Sequence, residues 1–380
     1  MATSIQRETV QQSILEIVQN SMHSKQILSL TNAVQGVICA ASLAVSAIGS
    51  ALATAQGFDR QSAIKQVDRF FSNRKIKLLN FFLHWIPYIV QKRQQIIVSL
   101  DWTDFDKNDQ STLCLNVITN HGRATPLLWK TYLKSTFKNN QRKYEINLLE
   151  LLKSFLPATC EEVIVLADRG FGDVGFYDAI VSLGFNYVIR FRCNTKVTIE
   201  SSTKSASEWL KKGKASIFFD AAITASKYIA TFVCVHDKAM KEAWYLASNL
   251  SNCSARQIIW FYGRRFSCEE NFRDIKDIRF GMGLSNTSIS NPERRDRILL
   301  VSAISVVLLT LLGAAGEAIG LDKMFKPKTV ERRTHSLFTQ GCFYFLAMVN
   351  WKKERFELIM KKYAELLEEH LVFRGLFSVI

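Results

Sequence analysis

The apolar positions of this chain change their spacing twice along its length. From the start to about residue 92 they recur at helical intervals. Residues 5–20 place Ile5, Val10, Ile14 and Ile17 on one side, and 34–55 read as a single Ala-rich buried helix that stops before Gly57. Residues 62–71 and 76–90 predict two more helices, in which Lys65, Arg69, Arg74, Lys75 and Lys77 interrupt a core of Phe70, Phe71, Phe81, Phe82 and Trp85. From residue 96 the rhythm shortens to strands. Strands are predicted at 96–101, 112–119 and 123–130, with a turn at Asn120-His121-Gly122 and Pro126 confined to a sheet edge. A helix at 139–155, a strand at 162–167, a helix at 174–183 and a strand at 187–191 follow. Strand spacing continues at 196–200, 215–220, 229–234 and 244–247, and this separates two acids by too many residues for a bare loop. The helical rhythm returns at 260–277, in a long apolar run at 298–316, and at 343–349 and 356–371.

Two of the strand predictions end on a carboxylate. IIVSLDWTDFD reaches Asp101, and EEVIVLADRGFGD reaches Asp168. In an α/β sheet, ligands collect at the C-terminal strand ends. The helix at 260–277 adds a third acid. At about 100° per residue, Tyr262, Arg265, Glu269 and Lys276 fall on one stripe, with Phe266 off it and Ile275 and Ile278 free to face a core. Carboxylates hold hard cations, and guanidinium, ammonium and phenol groups hold phosphates. A solvated face with ordinary i,i+4 pairs is the plainer alternative for that helix taken alone.

The spacing Y-x2-R-x3-E-x6-K of Tyr262, Arg265, Glu269 and Lys276 resembles the signature of a bacterial insertion-sequence transposase of the DDE class, in its cut-and-paste, hairpin-forming group. The blocks DWTD at 101–104, HGRATPLLWK at 121–130, ADRGFGD at 167–173 and AWYLASNL at 243–250 are similar to the same family, so the resemblance is specific from about 96 to 316. It implies an α/β, ribonuclease H-like catalytic core at 93–320 with a β-rich insertion at about 194–250. A helical DNA-end-binding domain is expected at 1–92, and a helical tail at 321–380 is a candidate for dimerisation. It implies Asp101, Asp168 and Glu269 as catalytic metal ligands for two Mg²⁺ ions, with Mn²⁺ able to substitute and Asp101 bridging. Tyr262, Arg265 and Lys276 take positions that touch phosphates, and Trp244 takes that of a Trp stacking on a flipped base. Arg190 and Arg192, flanking a strand end beside the site, are candidate backbone contacts. The expected partners are double-stranded DNA, as terminal inverted repeats and target, and a second copy of the chain. Asp104, Asp106, Glu270, Asp274 and Asp277 are neighbouring acids not assigned to the metals.

Charge supports a polyanionic partner: Lys+Arg 49 against Asp+Glu 34, a formal net +15. The eight cysteines form no CxxC pair, so neither a zinc site nor a disulfide framework is expected, and free thiols fit a bacterial cytoplasm. The uncharged run at 298–316 is long enough for a membrane span, but Ser302, Ser305, Thr310 and a closing Gly-Ala-Ala-Gly favour a buried core helix. Two rivals share the pattern: a metal-dependent nuclease or resolvase of the same fold, and a DNA-binding relative with no catalysis.

Overall fold

A computed structural model of the chain describes residues 2–18, 22–211, 213–278 and 281–368. Among the described residues, the chain opens with α1 (Ala2–Val18), α2 (Ser24–Ala40), α3 (Val45–Gln56), α4 (Arg60–Ser72) and α5 (Leu78–Val90). Then come β1 (Gln95–Phe105), β2 (Gln110–Val117), β3 (Thr125–Leu133), α6 (Gln141–Phe155), β4 (Glu162–Ala167), α7 (Val174–Ser182) and β5 (Asn186–Arg190). Strands β6 (Lys196–Ile199), β7 (Ser202–Ser205), β8 (Ser216–Ile223), β9 (Tyr228–Val235) and β10 (Trp244–Ser248) lead to α8 (Ala255–Arg264), α9 (Phe266–Lys276), α10 (Pro292–Ala318), α11 (Leu337–Ala347) and α12 (Lys353–Glu368). The expected helix at 5–20 is seen as α1, with 19–20 outside the described residues. The expected helix at 356–371 is seen to Glu368, and 369–371 also lie outside them.

Side chains placed where helices begin explain several of these boundaries. Asp59 Oδ1 accepts from Ser62 N at 2.8 Å ahead of α4. Ser254 and Gln257 form a reciprocal capping box at α8. Asn291 caps α10, and Pro292 takes its first turn, where no amide donor is needed.

The single helix expected at 34–55 is two. Helices α2 and α3 meet at a bend of 96°. Ala41 turns the chain in the left-handed region at φ 46°, and Ser42 Oγ accepts from Ala44 N at 3.2 Å. The turn lets Gly36 lie against Ile48, where a Cβ would come within 2.6 Å of the isoleucine side chain.

The ten strands form one mixed sheet in the order β3-β2-β1-β4-β5-β10-β9-β8-β6-β7. Strands β1, β4 and β5 are parallel, and β1, β2 and β3 form an antiparallel meander. Pro126 does lie on an edge strand, beside a register shift between Leu115 and Asn116. The strands of 194–250 extend this same sheet, entering it through β10 antiparallel to β5. Strand β7 was not expected, because Ser202-Thr203-Lys204-Ser205 has no apolar alternation to mark it.

Alternation along the strands divides the core into two faces. Ile96, Val98, Leu100, Val163, Val165 and Ala167 face Leu148, Leu152, Phe176 and Ile180 of α6 and α7. Ile97, Ile164, Leu166, Val188 and Leu246 face Ile258, Tyr262 and Cys268 of α8 and α9. The opening and closing helices share the first core rather than forming cores of their own. Trp85 donates to the Pro126 carbonyl at 2.9 Å, and Phe82 packs edge-on against Trp129 at 4.8 Å.

Helix α10 is the centre of the helical layer. It alone among the described helices is long and apolar enough to cross a membrane, and its apolar window, of mean hydropathy 2.6, is wholly buried inside the fold. Its first turn carries buried charge, each group partnered. Arg295 donates to Gln110 Oε1 at 2.6 Å and Asn108 Oδ1 at 2.8 Å. Asp296 Oδ1 accepts from Thr131 N at 2.8 Å, and Arg297 Nε donates to the Phe71 carbonyl at 2.6 Å. Farther along, Gly313 and Gly341 bring α10 and α11 into backbone contact, so that a Cβ at either would meet a carbonyl oxygen at 1.9 Å.

Candidate active site

The parallel ladder of β1 and β4 ends on the pair Leu100 and Ala167. The next residue of each strand is an aspartate, Asp101 and Asp168. Successive side chains alternate between the faces of a sheet, so both aspartates take the α9 face, set by Ile97 on one strand and Leu166 on the other. Strand β1 does not stop at Asp101 as expected. It runs on to Phe105, paired only with β2. That overhang puts Thr103 on the same face, and Lys276 Nζ donates to its Oγ1 at 3.1 Å and to the Asp104 carbonyl at 2.8 Å.

The helix expected at 260–277 starts earlier, at Ala255, and breaks at Arg265 into α8 and α9. Arg265 N donates to the Tyr262 carbonyl and Cys268 N to the Arg265 carbonyl, at 3.0 and 2.9 Å, a tightened three-residue turn. The stripe survives the break. Arg265 donates to Glu269 Oε1 at 2.7 Å and to Asp101 Oδ2 at 3.1 Å, so one guanidinium joins the helix acid to the strand acid. Tyr262 is buried beneath the ring of Trp244, edge-on at 4.9 Å. Trp244 is half-buried and also stacks near Phe266, at 5.9 Å. Ile275 is buried as expected, but Ile278 is exposed, because α9 ends at Lys276 and the chain turns away.

Burial pushes the Asp101 carboxyl up to about 6. Arg265 opposes that shift, while the charges of Asp168 and Glu269 add to it. Burial lowers the Lys276 ammonium, against the pull of Asp104 and Asp106. The neighbouring acids have other partners. Asp104 and Asp106 pair with Lys134. Glu270 and Asp274 pair with Arg123, the latter at 2.7 Å, which anchors α9 to the turn after β2.

Arg190 is held by Glu242 at 2.8 Å and by the Ala243 carbonyl at 3.0 Å. With Arg192 and Arg169 it lines an open cleft of about 650 Å³ beside the strand ends. Sequence reasoning passed over Arg169, although its place directly after Asp168 is a usable signal. It also passed over Thr103, whose role depends on β1 running past Asp101, and Glu145, a buried α6 carboxylate that accepts from Trp102 Nε1 at 2.8 Å.

Residues 94–308 match the family described as the transposase DDE domain, more than half of the chain, and the protein belongs to that family. No curated protein matches it. Membership makes it a DNA transposase of the insertion-sequence DDE kind, in a family whose members work with divalent metals. Asp101, Asp168 and Glu269 suit such an ion in donor chemistry, being hard oxygen ligands. As the side chains stand, no three His, Cys, Asp or Glu groups among the described residues are close enough to grip one ion. The span between Asp101 and Glu269 is taken by Arg265.

Proposed function

We propose that the protein is a cut-and-paste transposase of the hairpin-forming group, and that its chemistry is carried by Asp101, Asp168 and Glu269. The observation that supports this most is the alignment of the two strand-end aspartates on the face where α9 presents Arg265, Glu269 and Lys276. Two Mg²⁺ ions, or Mn²⁺ in their place, with Asp101 shared and Asp168 and Glu269 on one each, would supply activation of the attacking oxygen and stabilisation of the leaving one.

The chain's own residues do the rest. Arg265 and Lys276 bring positive charge to a phosphate at the acids, Arg with a fork suited to two phosphate oxygens. Tyr262 underlies Trp244, which serves as a shelf for a base flipped out as the strand bends. Arg190 and Arg192 contact the backbone in the cleft. Water cuts one strand at the element's end, the freed 3′-OH attacks the opposite strand to form a hairpin, and the reopened end joins target DNA. Residues 1–92 recognise the ends through the exposed basic residues of α4 and of the turn that leads into α5. Residues 93–320 perform the chemistry, and 321–380 join two copies in the bacterial cytoplasm so that both ends are held together.

The test is one time course with Mg²⁺ on a duplex carrying the element's own terminus, resolved on a denaturing gel. Nicked, hairpin and joined products in that order are expected. Specific nicking that never yields hairpin or joined DNA would replace this reading with a metal-dependent nuclease, and binding without nicking would leave a DNA-binding relative.

A further inference from the structure

The two halves of the acid cluster are not equivalent. Asp168 Oδ1 accepts only from the Gly170 amide at 2.8 Å, and no ion pair among the described residues engages it. Asp101 and Glu269 share one guanidinium, whose side chain is only 8% exposed. Its Nε is buried with no hydrogen-bond partner, so the group is held by the two carboxylates at its ends. The guanidinium stands where an ion bound jointly by Asp101 and Glu269 has to sit. A divalent ion and a guanidinium cannot share that span, because like charges a few ångströms apart in a partly buried site repel strongly.

We infer that Arg265 is the resident cation of the Asp101–Glu269 half of the site, and that a divalent ion enters this half only when Arg265 leaves it for a DNA phosphate. The inference rests on the reading of the three acids as metal ligands. A phosphate offers Arg265 the same forked, two-oxygen partner that the carboxylates give it. Arrival of the DNA therefore clears the second ion position, and the enzyme without DNA loads only the Asp101–Asp168 half well. Metal affinity and DNA affinity then reinforce each other through one side chain. The enzyme without DNA is thereby kept from completing a hydrolytic site away from its substrate.

The test reads metal binding, not turnover. Full-length metal-free protein is titrated with Mn²⁺, and free Mn²⁺ is followed by electron paramagnetic resonance, with and without a duplex carrying the element's terminus. Without DNA, Arg265→Met is expected to bind its second Mn²⁺ about tenfold tighter than wild type or more, the usual size of such couplings. The duplex should tighten Mn²⁺ binding in the wild type and add little in Arg265→Met. In chelator the variant should melt below wild type, since Asp101 and Glu269 lose the cation they share, and Mn²⁺ should raise its melting temperature by more. If Arg265→Met does not fold in chelator, Arg265→Lys carries the test, because a shorter point charge cannot span both carboxylates, and it too should bind Mn²⁺ more tightly than wild type. Equal or weaker Mn²⁺ binding in both variants overturns the inference and leaves the transposase reading standing. Mn²⁺ binding undiminished in Asp101→Asn removes the triad itself, and the inference with it.

Discussion

Leu100 of β1 faces Ala167 of β4 on the last rung of their parallel ladder. That one pairing sets both catalytic candidates, since each is the next residue of its strand. Asp101→Asn, Asp168→Asn and Glu269→Gln keep shape and remove charge. Each is expected to retain the fold and DNA binding while cutting strand nicking by about a thousandfold, the loss of several kcal/mol of metal-derived stabilisation. Nicking assays and duplex binding on the same preparations check this. A near-native rate in any one variant takes that residue out of the site.

Trp244 touches the signature helices edge-on to Tyr262 and stacked near Phe266. Its ring contacts are with Tyr262 and Phe266 rather than with metal-ligand candidates, so the first cut should survive its removal. Trp244→Ala is expected to nick nearly as wild type and to form hairpins about ten- to a hundredfold more slowly, since base stacking on an aromatic ring is worth about 1–3 kcal/mol. Equal slowing of both steps would instead mark Trp244 as packing for Tyr262.

Lys65 and Arg69 are exposed on α4, and Arg74, Lys75 and Lys77 on the turn between α4 and α5, while Phe70, Phe71, Phe81, Phe82 and Trp85 are buried beneath. Replacing Lys65, Arg69 and Lys77 together by Ala should leave the melting temperature nearly unchanged and weaken binding to terminus duplexes. The salt dependence should also flatten, by roughly one unit of log–log slope per lost phosphate contact. An unaltered slope in filter binding across a salt series would move the DNA surface elsewhere.

Asp296 offers a pH test away from the acids. Burial pushes its carboxyl up to about 6, against Lys130 and Thr131, from an ordinary value of about 3.9. A carboxyl raised on folding favours the folded state below about pH 4, and that contribution fades as pH rises through about 6. Asp296→Asn cannot ionise. Its stability relative to wild type should therefore climb between about pH 4 and about pH 7, by at most about 3 kcal/mol. Urea melts of both proteins at each pH give the slope, and a falling difference contradicts it.

The placing of the three candidate acids was legible because strand patterning is local. An apolar run ending on an acid marks Asp101 and Asp168 in a few residues, and a helical stripe marks Glu269. Features set by distant partners were not legible. No Gly or Pro announces the turn at Ala41, which exists because Gly36 lets α3 fold back onto α2. Strand β7 is polar throughout and owes its pairing to β6. Helical spacing predicted that Arg265 would flank Glu269, but its bond to Asp101 joins positions 164 residues apart and depends on β1, β4 and α9 meeting. The end of α9 misled the reading of Ile278 for a similar reason, since its place is decided by where the chain leaves the helix.

The wholly buried α10 also sets a condition on synthesis. Helices α2, α4 and α5 leave the ribosome roughly two hundred residues before the helix they pack against, at rates of about 5–20 residues per second. For ten seconds or more the part of that layer which faces α10 has no cover, although the helices pack on one another and α5 on β3. A product truncated before Pro292 never acquires that cover, although it already contains Asp101, Asp168 and Glu269. Fragments that stop short of α10 are thus expected to leave apolar surface open to chaperones and proteases, and completion of the chain becomes a condition for a folded transposase.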